Sequence, residues 1–215
     1  MLDILYSDRH IVVCIKPVGV SSQDDGENSM VALLKRSENT HTIYPVHRLD
    51  RDVSGLMVYA KTKKAAADLS AQVQDGTFKK EYTTVVNGVP DVPEGELVDL
   101  LFHDRIKNKS YVVKRSRKGV REAILNYKVL KVGEIDGKPV SLVDIALVTG
   151  RTHQIRVQFS SRNMPLLGDK KYGGGNLCPI ALMSTHLSFA HPTSGENIDF
   201  CIAVPNTFPW DIFGI

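Results

Sequence analysis

The sequence predicts an α+β chain built on a mainly antiparallel, mixed sheet with flanking helices and loops. Two observations carry that expectation. Short apolar or β-rich runs recur at residues 11–15, 56–60, 82–86, 97–102, 110–113, 123–132, 140–148 and 198–204, and few stretches between them have helical spacing. Strands that succeed one another with little helix between them pair as antiparallel neighbours. Within the sixth run, Leu125-Asn126-Tyr127-Lys128-Val129 alternates apolar and polar side chains, the pattern of a half-buried antiparallel strand.

Taken in order, residues 11–15 read as a short buried strand that ends at the turn signal Lys16-Pro17-Val18-Gly19. Residues 29–36 have helical spacing at Met30, Leu33 and Leu34. Residues 45–55 read as a loop, followed at once by the strand at 56–60. The clearest helix covers 63–74, where Ala65, Ala66, Leu69 and Val73 share a face and Gly76 closes the end. Residues 91–95 (Asp-Val-Pro-Glu-Gly) read as a loop within one domain. Thr152 is placed to cap a helix running through Ile155, Val157 and Phe159. Residues 198–204 read as a closing strand. The chain shows no repeat, low-complexity tract or linker, so one domain over residues 1–215 is expected.

Bulk properties narrow the classes. A length of 215 residues suffices for one sizeable core, and 42% hydrophobic with 24% charged content is ordinary for a globular protein. A net charge of +3 excludes a global polycation, so an anionic partner would have to meet clustered charge. The three cysteines, Cys14, Cys178 and Cys201, are an odd number without close pairing, which fits free thiols in a reducing compartment. No apolar run reaches membrane-spanning length, and Met1-Leu2-Asp3-Ile4 lacks the basic and apolar regions of a secretion signal. A cytoplasmic protein without membrane contact is expected.

The loop Pro45-Val46-His47-Arg48-Leu49-Asp50-Arg51-Asp52-Val53-Ser54-Gly55 is the most informative stretch. It sets Asp50 between basic residues, and a carboxylate among cations stays ionised. Such a group can act as nucleophile or general base. An Asp ahead of Ser-Gly also suits a turn held by its own carboxylate, and the loop alone leaves both open. A second cluster is Gly150-Arg151-Thr152-His153-Gln154-Ile155-Arg156. Arg156 lies beside apolar Val157 and Phe159, so its guanidinium needs a carboxylate or a bound anion. Arg151 fits a phosphate contact or solvent. A third is Lys79-Lys80-Glu81-Tyr82, where a ring beside cations suits a stacked base with a neighbouring phosphate; a core ring with a wet hydroxyl is the plainer reading. Residues 105–121 contain Arg105, Lys107, Lys109, Lys114, Arg115, Arg117, Lys118 and Arg121 but only basic charge, which suits a phosphate-binding ribbon.

Other signals are weak. The seven histidines lack zinc-site company, so no metal is expected. His186 and His191 read as turn and surface residues. Gly173-Gly174-Gly175 lacks the Lys-Ser/Thr of a phosphate-binding loop and reads as flexible.

Together these clusters resemble the RluA-type RNA pseudouridine synthases over nearly the whole chain and in the family's order. The resemblance is carried by Lys16-Pro17-Val18-Gly19, by His47-Arg48-Leu49-Asp50 with Ser54-Gly55, and by Lys80-Glu81-Tyr82. It continues through Gly150 to Arg156 with Gly168-Asp169 and Tyr172-Gly173, and ends at Leu187-Ser188-Phe189 with His191-Pro192. Three positions depart from the family's pattern. Val53 stands for a usual Thr, Gln158 for a His, and Met183 for a His.

The resemblance implies a catalytic domain with its cleft across the sheet. It implies isomerisation of uridine to pseudouridine in rRNA or tRNA, without cofactor or metal. Asp50 is implied as nucleophile or base, Arg156 as its ion-pair partner, and Tyr82 as the ring stacked on the flipped uracil. Leu187 is implied as a wall of the base pocket, with Arg48, Arg151, Lys80 and residues 105–121 on RNA. Extruding the uridine costs a few kcal/mol, so a stem-loop with a flipped uridine is the expected partner. The chain starts almost at Lys16-Pro17, so a separate N-terminal RNA-binding domain is not expected, and a monomer is. The alternative is a non-catalytic RNA-binding or RNA-remodelling module on the same scaffold. A glycosidase is disfavoured, because it needs two carboxyl groups about one bond.

Overall fold

The computed structural model describes residues 2–214; Met1 and Ile215, the ends of the expected domain, lie outside the described residues. The chain packs as two compact units. One comprises the residues up to Lys80 with Met183–Ala203, the other Glu81–Leu182 with the residues from Val204 onward. In chain order the elements are β1 (Ile4–Ser7), β2 (Ile11–Lys16), α1 (Met30–Ser37), β3 (Tyr44–Pro45), β4 (Ser54–Ala60), α2 (Lys63–Asp75), β5 (Lys79–Asn87), β6 (Glu94–Asp104), β7 (Lys109–Val113), β8 (Val120–Ile135), β9 (Lys138–Leu147), α3 (Gln154–Ser160), β10 (Leu182–Ala190) and β11 (Asn197–Cys201).

In the first unit the strand order is β1-β2-β4-β10, with β3 on β4 and β11 on β10. All these pairs are antiparallel except β4 with β10, which run parallel with Ser54 opposite Met183 and Gly55 opposite Ser184. Gly55 has φ +116, and a Cβ there would lie 2.2 Å from the Ser184 carbonyl oxygen, so only glycine allows the strands to approach. Ile11, Val13, Leu56, Val58 and Ala60 pack with Ala65 and Leu69 of α2 and with Phe78, Leu187 and Phe189. Phe78 and Phe189 stack with centroids 5.1 Å apart. Both helices are capped, and Gly76 closes the second as its sequence leads one to expect. Ser29 Oγ accepts from Ala32 N at 3.2 Å, Thr62 Oγ1 accepts from Ala65 N at 3.2 Å, and left-handed Gly76 closes α2.

In the second unit the order is β5-β9-β8-β6-β7, antiparallel throughout. Helix α3 is short and buried from Gln154 to Phe159. Leu101 and Ala123 pack with Val157 and Tyr172, and this cluster carries α3. Among the described residues no helix is long and apolar enough to cross a membrane.

The fold class matches expectation, with local differences. β10 was not expected as a strand, because Ser184, His186 and Ser188 interrupt its apolar pattern; Met183, Thr185, Leu187 and Phe189 keep the period of two. β1 and β3 are short and also were not anticipated. β6 starts at Glu94, inside the expected 91–95 loop, and β11 stops at Cys201. Thr152 does not cap α3. The cap position falls on His153, left-handed at φ 55 and without a side-chain cap bond, while the Thr152 carbonyl accepts from Ser110 Oγ at 2.6 Å.

Candidate active site

Asp50 sits half-buried in the loop between β3 and β4, and the backbone around it is pinned at successive carbonyls. The Leu49 carbonyl accepts from Ser22 Oγ at 2.9 Å. The Asp50 carbonyl accepts from Val53 N at 3.1 Å. The Arg51 carbonyl accepts from Gly19 N at 2.8 Å and from Lys16 Nζ at 3.0 Å. Leu49 and Val53 are buried and anchor the loop from beneath. The segment that reaches over to do this is itself held, since Tyr59, fully buried, donates its hydroxyl to the Ser22 carbonyl at 2.9 Å.

Lys16 is the pivot of this clasp. It ends β2 opposite Gly55, has no exposed surface, and donates Nζ to the carbonyls of Pro17 at 2.8 Å, Val20 at 2.8 Å and Arg51 at 3.0 Å. Three N–H donors on three carbonyls is the geometry of an ammonium. Burial pushes its pKa down to about 8, against the nearby Asp52 and Asp50 carboxylates that support the charge. The sequence marks Lys16-Pro17 as a turn, but gives no sign that the lysine is buried.

The other candidates of this unit hold different positions. His47 Nε2 accepts from Val58 N at 3.2 Å, and its ring lies 5.4 Å from Phe78. Burial, with Lys80 nearby, pushes its pKa down to about 3, so it is a neutral strut between loop and strand. Lys80 has its Nζ 5.9 Å from the Phe78 centroid, and burial lowers its pKa. Arg48 is exposed on the loop. Leu187 has no exposed surface and packs in the first unit's core with Leu56 and Val58.

The second unit carries the remaining candidates. Arg156 projects from α3 and is almost fully buried. Its Nε and Nη2 donate to Asp169 Oδ2 and Oδ1 at 2.7 and 2.8 Å, a bidentate pair. The carboxylate required of a buried guanidinium is therefore present. Asp169 Oδ1 also accepts from Lys171 N at 3.1 Å and Tyr172 N at 3.3 Å. Gly168 makes this turn possible, with φ +77 and no room for a Cβ against the Cys178 and Pro179 carbonyls at 2.5 Å. The guanidinium lies 5.3 Å from the Tyr172 centroid, a cation–π contact. The Tyr172 hydroxyl accepts from Ser110 N at 2.7 Å and meets His153 Nδ1 at 3.0 Å, and burial pushes its pKa up to about 12.

Tyr82 is buried on β5 opposite Ile145 of β9. Arg151 is exposed, its Nε donating to the Glu122 carbonyl at 2.8 Å. Behind it, Gln154 Oε1 accepts from Arg151 N and Thr149 Oγ1, both at 2.9 Å, which fixes the entry to α3. Gln158, one of the departures, is fully buried and donates to Asp99 Oδ2 at 2.8 Å and the Leu97 carbonyl at 3.2 Å, so it ties α3 to β6. Gly173-Gly174-Gly175 is not slack: Gly174 N bonds the Asp169 carbonyl and Gly168 N the Gly174 carbonyl. His191 is likewise buried, bonded through Nε2 to Asp8 at 2.9 Å. Lys16, Asp169 and Tyr172 are the supports that residue-by-residue reading did not assign.

A cavity of about 420 Å³ lies elsewhere in this unit, lined by Gly88, Val92, Tyr127, Phe159, Arg162 and Met164 among others, and none of the candidate residues lines it. Among the described residues, no cluster of His, Cys, Asp or Glu is arranged to hold a metal ion.

Comparison with known proteins fits this arrangement. The family model for RNA pseudouridylate synthase matches residues 10–161, a span that includes Asp50, Tyr82 and Arg156. The uncharacterized RNA pseudouridine synthase YhcT of Bacillus subtilis (strain 168) is 34% identical over 206 residues, covering 92% of this chain and 67% of that protein. The ribosomal large subunit pseudouridine synthase D of Zymomonas mobilis is 34% identical over 226 residues, covering 95% of this chain and 69% of that protein. The solved structure of human RNA pseudouridylate synthase domain containing 1 shares the fold, with a TM-score of 0.82 at 23% identity over 96% of this chain and 85% of that one. The chain belongs to the RluA-type family of RNA pseudouridine synthases, which are isomerases.

Proposed function

We propose that this protein isomerises specific uridines in ribosomal or transfer RNA, with Asp50 as the reacting carboxylate. The observation that carries the reading is the triple pinning of the backbone at Leu49, Asp50 and Arg51. With the backbone bonded on either side of Asp50, the main chain sets where the carboxylate points. The ribosomal substrate of the Zymomonas relative supports rRNA as the first choice.

The reaction moves the ribose bond from N1 of uracil to C5. The N1–C1′ bond breaks, the C5–C1′ bond forms, the C5 hydrogen leaves as a proton and N1 is reprotonated. Asp50 attacks, or takes a proton from, the ribose–uracil unit. Arg156 supplies the cation of the proposed site, its Nε and Nη2 held by Asp169. Tyr82 stacks on the extruded base, Arg48, Lys80 and Arg151 meet phosphates, and Leu187 shapes the pocket from within the core.

The test compares pseudouridine maps of cellular RNA from the wild-type strain, a deletion strain and an Asp50→Asn strain. One or a few sites should vanish in both altered strains. Sites that persist with Asp50→Asn would remove Asp50 from the chemistry. An unchanged map in the deletion strain would favour a binding module instead.

A further inference from the structure

The sheet of the second unit has one covered face and one bare face, and the bare face is apolar at its centre. Helix α3 covers the first. Ala123 packs there with Val157, and the Tyr127 ring meets Phe159 with centroids 5.8 Å apart. Residues one step along each strand point the other way. Val98 of β6 stands opposite Ile124 of β8, and Ala146 of β9 stands opposite Asn126, two residues on from Ile124. Val148 lies beside them, its N–H bonded to the Ile124 carbonyl at 3.1 Å. An antiparallel sheet with one solvated face ordinarily carries polar residues there. Here Val98 is 49% and Val148 56% exposed, and Ile124 and Ala146 are half-buried. Single exposed apolar residues need no explanation, whereas a patch rimmed by polar groups marks a contact surface.

The rim is acidic. Glu94 and Glu96 of β6 stand opposite Lys128 and Asn126 of β8, Asp144 of β9 stands opposite Lys128 from the other side, and Glu81 of β5 stands opposite Ala146. Directly opposed residues share a face, so four carboxylates border the patch, and in those rows Lys128 is the one cation. At the far end Glu122 is matched in charge by Arg151, whose Nε bonds its carbonyl at 2.8 Å. Burial raises the Asp144 pKa and nearby Glu81 adds to the rise, as happens where carboxylates are short of counter-charge. All of these groups lie in the second unit. The chain as a whole carries +3, so the negative charge is local to this face.

We infer that this face docks a basic amphipathic segment of a second protein, its apolar side chains on Val98, Ile124 and Val148 and its lysines or arginines on Glu81, Glu94, Glu96 and Asp144. Charge selects that occupant. RNA would bring phosphates against four carboxylates. A second copy using the same face would set one negative patch against another, because a two-fold interface pairs a surface with itself. A basic segment gains steering and register from the rim, while the apolar centre supplies the desolvated area. Tyr82 stands opposite Ile145, which stands opposite Tyr127, so that ring belongs to the covered side and a partner on the bare face does not reach it. The docking face therefore stands whether or not the protein isomerises uridine.

The test uses the full chain and three fluorescein-labelled synthetic peptides, one alternating leucine with lysine, one alternating leucine with glutamate, and one alternating serine with lysine. Anisotropy should show the leucine–lysine peptide binding at least about tenfold more tightly than either of the others, with affinity falling as salt rises. Glu96→Lys should weaken that binding about tenfold, and Val98→Ser/Val148→Ser by a similar factor. Both variants change exposed residues, so their denaturation midpoints should match wild type. Equal binding of the glutamate peptide, no binding of the leucine–lysine peptide, or binding that neither variant weakens overturns the docking face. Stem-loop RNA should bind wild type and Val98→Ser/Val148→Ser alike; a loss as large as the peptide's would make the face an RNA surface and sink the inference. Sedimentation velocity closes the third route, since self-association of wild type that the same variant abolishes would assign the face to a second copy instead.

Discussion

The bonds recorded around Asp50 and around Arg156 fall on different parts of the residue. Around Asp50 the main chain is pinned and the side chain is half-buried; three successive carbonyls are bonded, with Lys16, Ser22 and Gly19 among the donors. Arg156 is held by its own side chain, buried and gripped on one edge by Asp169 over the Tyr172 ring. If Asp50 is the proposed reacting carboxylate, a fixed backbone serves it by setting where the side chain points. A cation that must stay charged and aimed gains from a permanent partner. Damage to the two supports should therefore read out differently. The clasp affects position, whereas the Asp169 pair affects both position and fold.

The sharpest break is Asp50→Glu. The charge stays and the carboxylate moves outward by one methylene. If placement by the clasp is what matters, kcat should fall about a hundredfold or more, since a misplacement near 1 Å costs on that order. RNA affinity should hardly change. Activity within a few fold of wild type would mean that the pinned carbonyls do not serve catalysis.

Next comes Asp169→Ala. It leaves a buried guanidinium without its bidentate carboxylate, which costs roughly 3–5 kcal/mol when one partner of a buried pair is removed. Chemical denaturation should show that loss, and activity should fall some tens of fold in the protein that remains folded. Asp169→Asn keeps the shape and should lie between. Unchanged stability in Asp169→Ala would mean that Arg156 relies on other groups.

Much of this was legible before the structure. Asp50, Tyr82 and Arg156 stand in motifs whose order alone marks the family, and α2 announces itself by spacing and Gly76. The supports were hidden for physical reasons. Lysine is almost never fully buried, so Lys16 beside a Pro-Gly turn reads as surface, and its three acceptors are main-chain carbonyls that no side-chain pattern encodes. β10 does not read as an apolar run because Ser184, His186 and Ser188 alternate with its buried residues. Thr152 looked like a cap because capping is a local preference, and the bond from Ser110 to its carbonyl comes from a strand far away in sequence.

The clasp can be probed by pH as well as by mutation. Lys16→Met should lower kcat/KM about tenfold, because the Arg51 carbonyl loses its charged donor and buried acceptors left unsatisfied cost about 1–3 kcal/mol. In wild type, activity should fall as pH rises through about 8, where Lys16 gives up its proton and one carbonyl loses its N–H. Stability should move the other way. The folded pKa lies below the ordinary 10.5, so the unfolded chain binds the proton more tightly, and unfolding from this group becomes harder between about pH 8 and 10.5. A basic limb near 8 that is absent in Lys16→Met, with wild type gaining stability on Lys16→Met over the same window, would establish the clasp. The same limb in both proteins would assign it to another group.

Arg151→Ala should give the smallest effect, and it tests the limit of the comparison. Arg151 lies at the entry to α3, five residues before Arg156, yet its side chain is exposed and makes a single backbone bond to Glu122. If it meets RNA phosphate, its loss weakens binding for every substrate alike and lowers the slope of log affinity against log salt by about one. KM should rise about three- to fivefold at moderate salt, with kcat unchanged, since removing one phosphate contact takes away binding common to ground and transition states. Gln154, which bonds the Arg151 amide and Thr149, keeps the helix entry in place, so denaturation midpoints should match wild type. A fall in kcat with an unaltered salt slope would instead place Arg151 with Arg156 among the groups that aim the reaction, and the exposed edge of α3 would then belong to the chemistry and not to RNA capture.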